Sequence, residues 1–163
     1  MNELIKITKT VNWLETKLIN GECGILFESH SHSSFNTIQN FIESYERPFQ
    51  TSVTYYQAFS EENAFELIDT LGEELTSKLA SPLGYRKKSI LDIIKDAGLK
   101  MIVIDDCHFY SQDTLEKLLN LFSNSQVSVI LVGERQSMAI AQILNHPLVS
   151  QWNCLDLNLI VQI

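Results

Sequence analysis

A chain of 163 residues with 12 basic and 20 acidic side chains, net charge −8, has length enough for one sizeable core. It lacks the basic excess by which nucleic-acid binders neutralise phosphates. A 45% hydrophobic and 20% charged composition is that of an ordinary globular protein, with no apolar run of the roughly 18 residues a membrane span needs. The first twenty residues carry acids and Trp13 rather than the basic start and apolar run of a signal peptide, so the expected compartment is the cytosol.

In chain order, residues 3–19 read as an amphipathic helix, with Leu4, Ile5, Ile7, Val11, Leu14 and Leu18 at helical spacing and Asn20-Gly21 closing it. Residues 23–27 form a short apolar strand, followed by the polar stretch Glu28-Ser29-His30-Ser31-His32-Ser33-Ser34. Phe35, Ile38, Phe41, Ile42 and Tyr45 mark a helix that stops before Pro48. A second strand is expected over 52–59, where Tyr55-Tyr56 reads as a sheet pair, and then a helix over 61–80 with the stripe Phe65, Leu67, Ile68, Leu71 and Leu75. Ser81-Pro82-Leu83-Gly84 is a loop, and a helix over 87–97 ends at Gly98. The apolar run 101–104 leads into Asp105-Asp106 and a helix over 112–123. A strand over 127–132 ends at Gly133, a helix over 135–145 is stopped by Pro147, and the last strand is expected over 154–161.

Short apolar strands separated by helices imply a three-layer, doubly wound α/β fold with a mostly parallel five-stranded sheet. With no internal repeat or linker, the chain reads as one domain, 1–163: an N-terminal helix over 1–20 and an α/β core over 21–163. Trp13 and Trp152 are expected in the core. Cys23, Cys107 and Cys154 are odd in number, lie in apolar runs and form no CxxC. They read as buried reduced thiols, not as zinc ligands or a redox pair.

In doubly wound sheets, ligands lie outside the carboxyl ends of the strands. The run Met101-Ile-Val-Ile-Asp-Asp106 resembles a Walker B strand. With the preceding helix and Gly-Leu-Lys turn, the following helix and the strand Val-Ile-Leu-Val-Gly133, its order resembles the AAA+ ATPases of transposition systems, the TnsC/TniB type. The resemblance runs from about residue 10 to 160 and sets Cys23-Gly-Ile-Leu-Phe-Glu-Ser-His-Ser-His-Ser-Ser34 against the first strand and P-loop. It implies the P-loop NTPase sheet, with the last strand beside the first and residues 23–27, 101–104 and 127–132 central.

A P-loop needs glycines so that backbone N–H groups can wrap phosphates, a lysine for the β- and γ-phosphates, and a Ser/Thr hydroxyl for Mg²⁺. On this resemblance Phe27 and His32 hold the two glycine positions, Ser33 holds the lysine position, and Ser34 alone keeps its hydroxyl. Glu28 adds an acid, Asp106 replaces the catalytic glutamate, Glu134 occupies the polar sensor position and Gln151 lies where an arginine finger is sought. The chain stops at Ile163, so the helical lid domain of AAA+ proteins is expected to be absent. The implication is a vestigial nucleotide site of Phe27, Glu28, His32, Ser33, Ser34, Asp105, Asp106 and Glu134, with no catalytic residue, metal or cofactor. Phe27 is expected to point into the core and the 28–34 loop to be shortened, disordered or collapsed. The function implied is that of a pseudo-ATPase acting as an interaction or regulatory module of a mobile element. Its partner would be an active AAA+ ATPase, another element-encoded protein or itself. The alternative is a divergent nucleotide-binding ATPase or switch using Ser34 and Asp105.

Other constellations carry less. Asp105-Asp106 could ligate a metal, or merely precede a helix capped by Ser111. His30, His32, Asp105, Asp106 and His108 could converge as a His/Asp metal cluster, against which stands a solvated Ser/His loop. Ser33, Ser34 and His32 are adjacent on a loop and form no triad, and no G-x-S-x-G elbow exists. Arg86, Lys87 and Lys88 are the one basic cluster that could touch nucleic acid, a reading the overall charge disfavours.

Overall fold

The computed structural model describes residues 2–28, 33–48, 50–58, 63–79 and 88–161. Five strands alternate with helices: α1 (Asn2–Asn20), β1 (Gly24–Phe27), α2 (Phe35–Ser44), β2 (Val53–Gln57), α3 (Ala64–Ser77), α4 (Ile90–Ala97), β3 (Met101–Asp105), α5 (Gln112–Ser125), β4 (Ser128–Gly133), α6 (Met138–Leu144) and β5 (Asn153–Asp156). The strands form one sheet in the order β2-β3-β4-β1-β5, every adjacent pair parallel. The last strand therefore lies beside the first, and β1, β3 and β4 are the inner three, as the sequence led us to expect.

Parallel strands covered on both faces read as solid apolar runs, and each residue of β1, β3 and β4 is buried. Side chains alternate between two cores. Ile25, Phe27, Ile102, Ile104, Val129 and Leu131 pack with α3, α4, α5 and α6. Leu26, Met101, Val103, Ile130 and Val132 pack on the other face with Leu14 of α1 and Ile38, Phe41 and Ile42 of α2. The result is a three-layer α/β sandwich.

Local chemistry sets the helix ends. Asn63 and Glu66 form a reciprocal capping box at α3. Ser89, Ser111 and Ser137 each accept a backbone N–H at the starts of α4, α5 and α6. Gly98 closes α4 in the left-handed region, φ 70°, where a Cβ would be strained.

Several sequence expectations need correction. The last strand ends at Asp156 rather than 161, because Asp156 Oδ1 accepts the Asn158 N–H at 2.9 Å and this turn leads into a 3-10 segment, Leu159–Val161. Phe65 leaves the buried stripe of α3: it is 69% exposed, with the Lys117 ammonium 5.9 Å from its ring centroid. Leu4, Ile5 and Ile7 are also exposed, so α1 joins the core only from its middle. Cys107 is buried as expected, but Cys23 is only partly buried and Cys154, on edge strand β5, is exposed. The helix expected over 135–145 begins at Met138, after a turn in which Ser137 N–H donates to the Glu134 carbonyl. Parts of the expected second strand (59) and of the expected helices over 61–80 and 87–97 lie outside the described residues.

Candidate functional site

The chain emerges from the carboxyl ends of β1, β3 and β4 through Glu28, Asp106 and Glu134. Phe27, the last residue of β1, is 1% exposed and faces the α3–α6 core. The Arg135 guanidinium lies 5.4 Å from its ring centroid. Alternation sends the next side chain to the opposite face, toward α2. There Glu28, 2% exposed, accepts through Oε2 from the Ser33 hydroxyl at 2.7 Å and the Ser34 N–H at 2.9 Å. Its own N–H donates to the Gly133 carbonyl at 3.2 Å, which extends the β1–β4 ladder by one bond. Ser34 precedes the first residue of α2, but its hydroxyl makes no cap bond. That Oγ is buried without a partner among the described residues. Three of the expected site residues, Glu28, Ser33 and Ser34, are thus in direct contact. His32 and His30 lie outside the described residues, as does most of the 28–34 loop.

A second group forms at β2 and β3, whose register sets Gln57 opposite Asp105. Asp105 is fully buried. Its Oδ2 accepts from the Tyr55 hydroxyl at 2.6 Å and its Oδ1 from the Asp106 N–H at 2.7 Å. Burial raises its carboxyl above the ordinary carboxylate value, the Tyr55 and Asp106 bonds oppose that shift, and the nearby Glu28 and Asp106 charges add to it. The Tyr55 phenol is likewise pushed above its ordinary range by burial and by its bond to Asp105, so it remains a donor. Asp106 adopts a left-handed conformation, φ 53°, and its Oδ2 accepts from the Gln57 amide at 3.1 Å. Both carboxylates are therefore held by neutral groups from β2. Tyr55 also meets Phe35 of α2 edge to face, centroids 5.5 Å apart.

Glu134 lines a cavity of about 640 Å³ at the ends of β1, β4 and β5, shared with Glu28, Lys6, Arg135, Asp156 and Asn158. Arg135 donates to Asp156 Oδ2 at 2.7 Å. Ser111 caps α5, as the sequence indicated. Gln151, where the family resemblance implies an arginine finger, is exposed. The His108 ring lies tilted against Phe109, centroids 4.4 Å apart. Among the described residues, no group of three or more His, Cys, Asp and Glu side chains is placed to hold a metal ion. Of the basic cluster, Lys88 is ion-paired with Asp96 at 2.6 Å, while Arg86 and Lys87 lie outside the described residues. Among the described residues, no helix is long and apolar enough to cross a membrane.

The strand order and the acids at the end of β3 are those of a P-loop NTPase core, and the family model described as "AAA domain" matches residues 12–139. The chain belongs to the AAA domain family. No curated protein matches it. The match takes in β1 through β4 and every residue of the Glu28 and Asp105 groups.

Sequence reasoning missed Tyr55, Gln57 and Arg135. Their partners lie 50, 49 and 21 residues away. The one available signal was polar tips on a strand that belongs beside the Asp105 strand.

Proposed function

We propose that this AAA domain is a non-catalytic member of its family and acts through contact with other proteins. The observation that carries the reading is the charge around the strand ends. Glu28, Asp105, Asp106 and Glu134 gather there; Arg135, ion-paired with Asp156, and Lys6 line the cavity they share with Glu28 and Glu134. An ATP–Mg²⁺ complex is itself a net anion and needs glycines and a lysine to receive its phosphates. The segment from Glu28 to Ser34 contains neither residue type. Asp105 and Asp106 already serve as acceptors for Tyr55 and Gln57. The group implied by the family fold therefore does not fit these residues.

A single feature favours a divergent nucleotide switch instead. The buried Ser34 hydroxyl keeps no partner among the described residues, at the position whose hydroxyl meets Mg²⁺ in a working P-loop. Calorimetric titration of the full chain with ATP and Mg²⁺ separates the two readings. The expected result is no binding tighter than about 1 mM, or about −4 kcal/mol. Micromolar affinity would overturn the non-catalytic reading and install the switch in its place.

The likeness to TnsC/TniB-type ATPases supports a setting in a mobile element, in the cytosol, with an active AAA+ ATPase, another element-encoded protein or a second copy as partner. The net charge of −8 and the Lys88–Asp96 pair weigh against nucleic acid as that partner. Co-purification with the products of neighbouring genes tests this setting, and a neighbourhood free of transposition genes would remove its support.

A further inference from the structure

A helix that follows a parallel strand points its first N–H groups and the positive end of its dipole at the space beyond the sheet, a place suited to an anion. At α2 that place is in contact with an anion belonging to the chain. Glu28 leaves β1 on the α2 face, is 2% exposed, and receives the Ser34 N–H at 2.9 Å and the Ser33 hydroxyl at 2.7 Å on one carboxylate oxygen. Its backbone is pinned at the same time by the bond to the Gly133 carbonyl. Beside it lies a second polar group, the Ser34 hydroxyl, on a residue 3% exposed and without a partner among the described residues. A buried hydroxyl in that condition is uncommon, because an unmade hydrogen bond costs its full desolvation. The Ser34 hydroxyl is thus a further hydrogen-bonding group, unused among the described residues, on the residue whose N–H already binds the carboxylate.

We propose that Glu28 is a tethered replacement for the phosphate the family fold seats at this helix, holding the start of α2 to the end of β1 without any ligand. The proposal rests on the non-catalytic reading above. It gives that reading a chemical content: the oxyanion seat is not lost but occupied from within. Removing the carboxylate should re-create a seat, with the Ser34 N–H and the Ser33 and Ser34 hydroxyls as donors to an oxyanion.

The experiment uses the full chain as wild type, Glu28→Ala and Glu28→Gln, melted with about 10 mM pyrophosphate or with sodium chloride at equal ionic strength. Wild type should melt at one temperature in both. Glu28→Ala should melt about 5–10 °C lower in chloride and recover about 3–6 °C in pyrophosphate. Glu28→Gln keeps the volume and an acceptor but no charge, so it should lose less and recover nothing. A Glu28→Ala protein that melts with wild type, or melts lower with no difference between the two salts, overturns the proposal. If Glu28→Ala does not fold, Glu28→Gln decides: a lowered melting temperature supports the tether, and a wild-type one refutes it. Micromolar ATP binding by the wild type would instead sink the non-catalytic reading, an outcome read in a separate titration.

Discussion

Replacing Tyr55 by Phe removes one hydroxyl and nothing else, yet that hydroxyl donates at 2.6 Å to a fully buried carboxylate. A hydrogen bond to a charged group contributes about 1.5–3 kcal/mol. For a domain of this size, where 1 kcal/mol moves the midpoint by about 2–4 °C, the variant should melt about 3–12 °C lower. The pH dependence gives a sharper signature. Burial raises the folded-state pKa of Asp105 above the ordinary aspartate value of the unfolded chain. Between those values the folded state holds the proton more firmly than the unfolded chain, so stability from this group grows as pH falls through the folded pKa and is lost as pH rises. The Tyr55 bond opposes that loss by favouring the ionised form, and deleting it pushes the carboxyl further up. The deficit of Tyr55→Phe should therefore be greatest near neutral pH, where the lost bond is to a carboxylate, and shrink on acidification. Urea unfolding of both proteins in steps from about pH 7 down to about pH 3, through the ordinary carboxylate range, measures it. A deficit that stays flat across that range, or grows in acid, would refute the assignment of Asp105 as a buried carboxylate steadied by Tyr55.

Two further changes test the geometry around β1. Phe27→Ala empties a fully buried site and should cost about 3–5 kcal/mol, with up to about 1 kcal/mol more from the lost Arg135 contact; a loss below about 1 kcal/mol in urea unfolding would mean the ring is not core. Gly24→Ala would set a Cβ 2.6 Å from Trp13 Cζ2 and 3.1 Å from the Asn153 carbonyl. It should cost about 1–3 kcal/mol and alter tryptophan emission as Trp13 loses its 2.8 Å bond to Asn153; unchanged stability and emission would contradict the packing of α1 on β1 and β5.

The fold was legible because its signals are local. Runs such as 101–104 and 127–132 are too apolar and short to be anything but buried strands, and residues such as Ser89, Ser111 and Gly98 mark helix ends within a few positions. The site was legible only in its chain-local half. Glu28 and Ser34 are six residues apart, so the polar content of that loop could be read directly. Tyr55 reads in the sequence only as half of a sheet pair with Tyr56, because its role depends on the register of β2 against β3. That register is fixed by packing across the whole sheet, and a slip of one residue would turn the phenol to the other face. The overlong last strand failed for the opposite reason: its alternation is genuine, but a side-chain bond two residues on, from Asn158 N–H to Asp156, outcompetes the ladder.

The described contacts share a direction. Tyr55 to Asp105, Gln57 to Asp106 and Arg135 to Asp156 each join residues from two segments at the carboxyl end of the sheet, and Ser34 to Glu28 joins that end to α2. In a ligand-dependent protein, such joints pass through the bound molecule, and stability then follows its concentration as RT ln(1 + [L]/Kd). Joints made by side chains carry no such term. On the proposed reading, the chain would hold one conformation at any nucleotide level, unlike a member whose joints pass through the nucleotide. A partner that recognises the AAA surface would then meet a member fixed in a single state. That is a physical route by which a non-catalytic copy can regulate an active one.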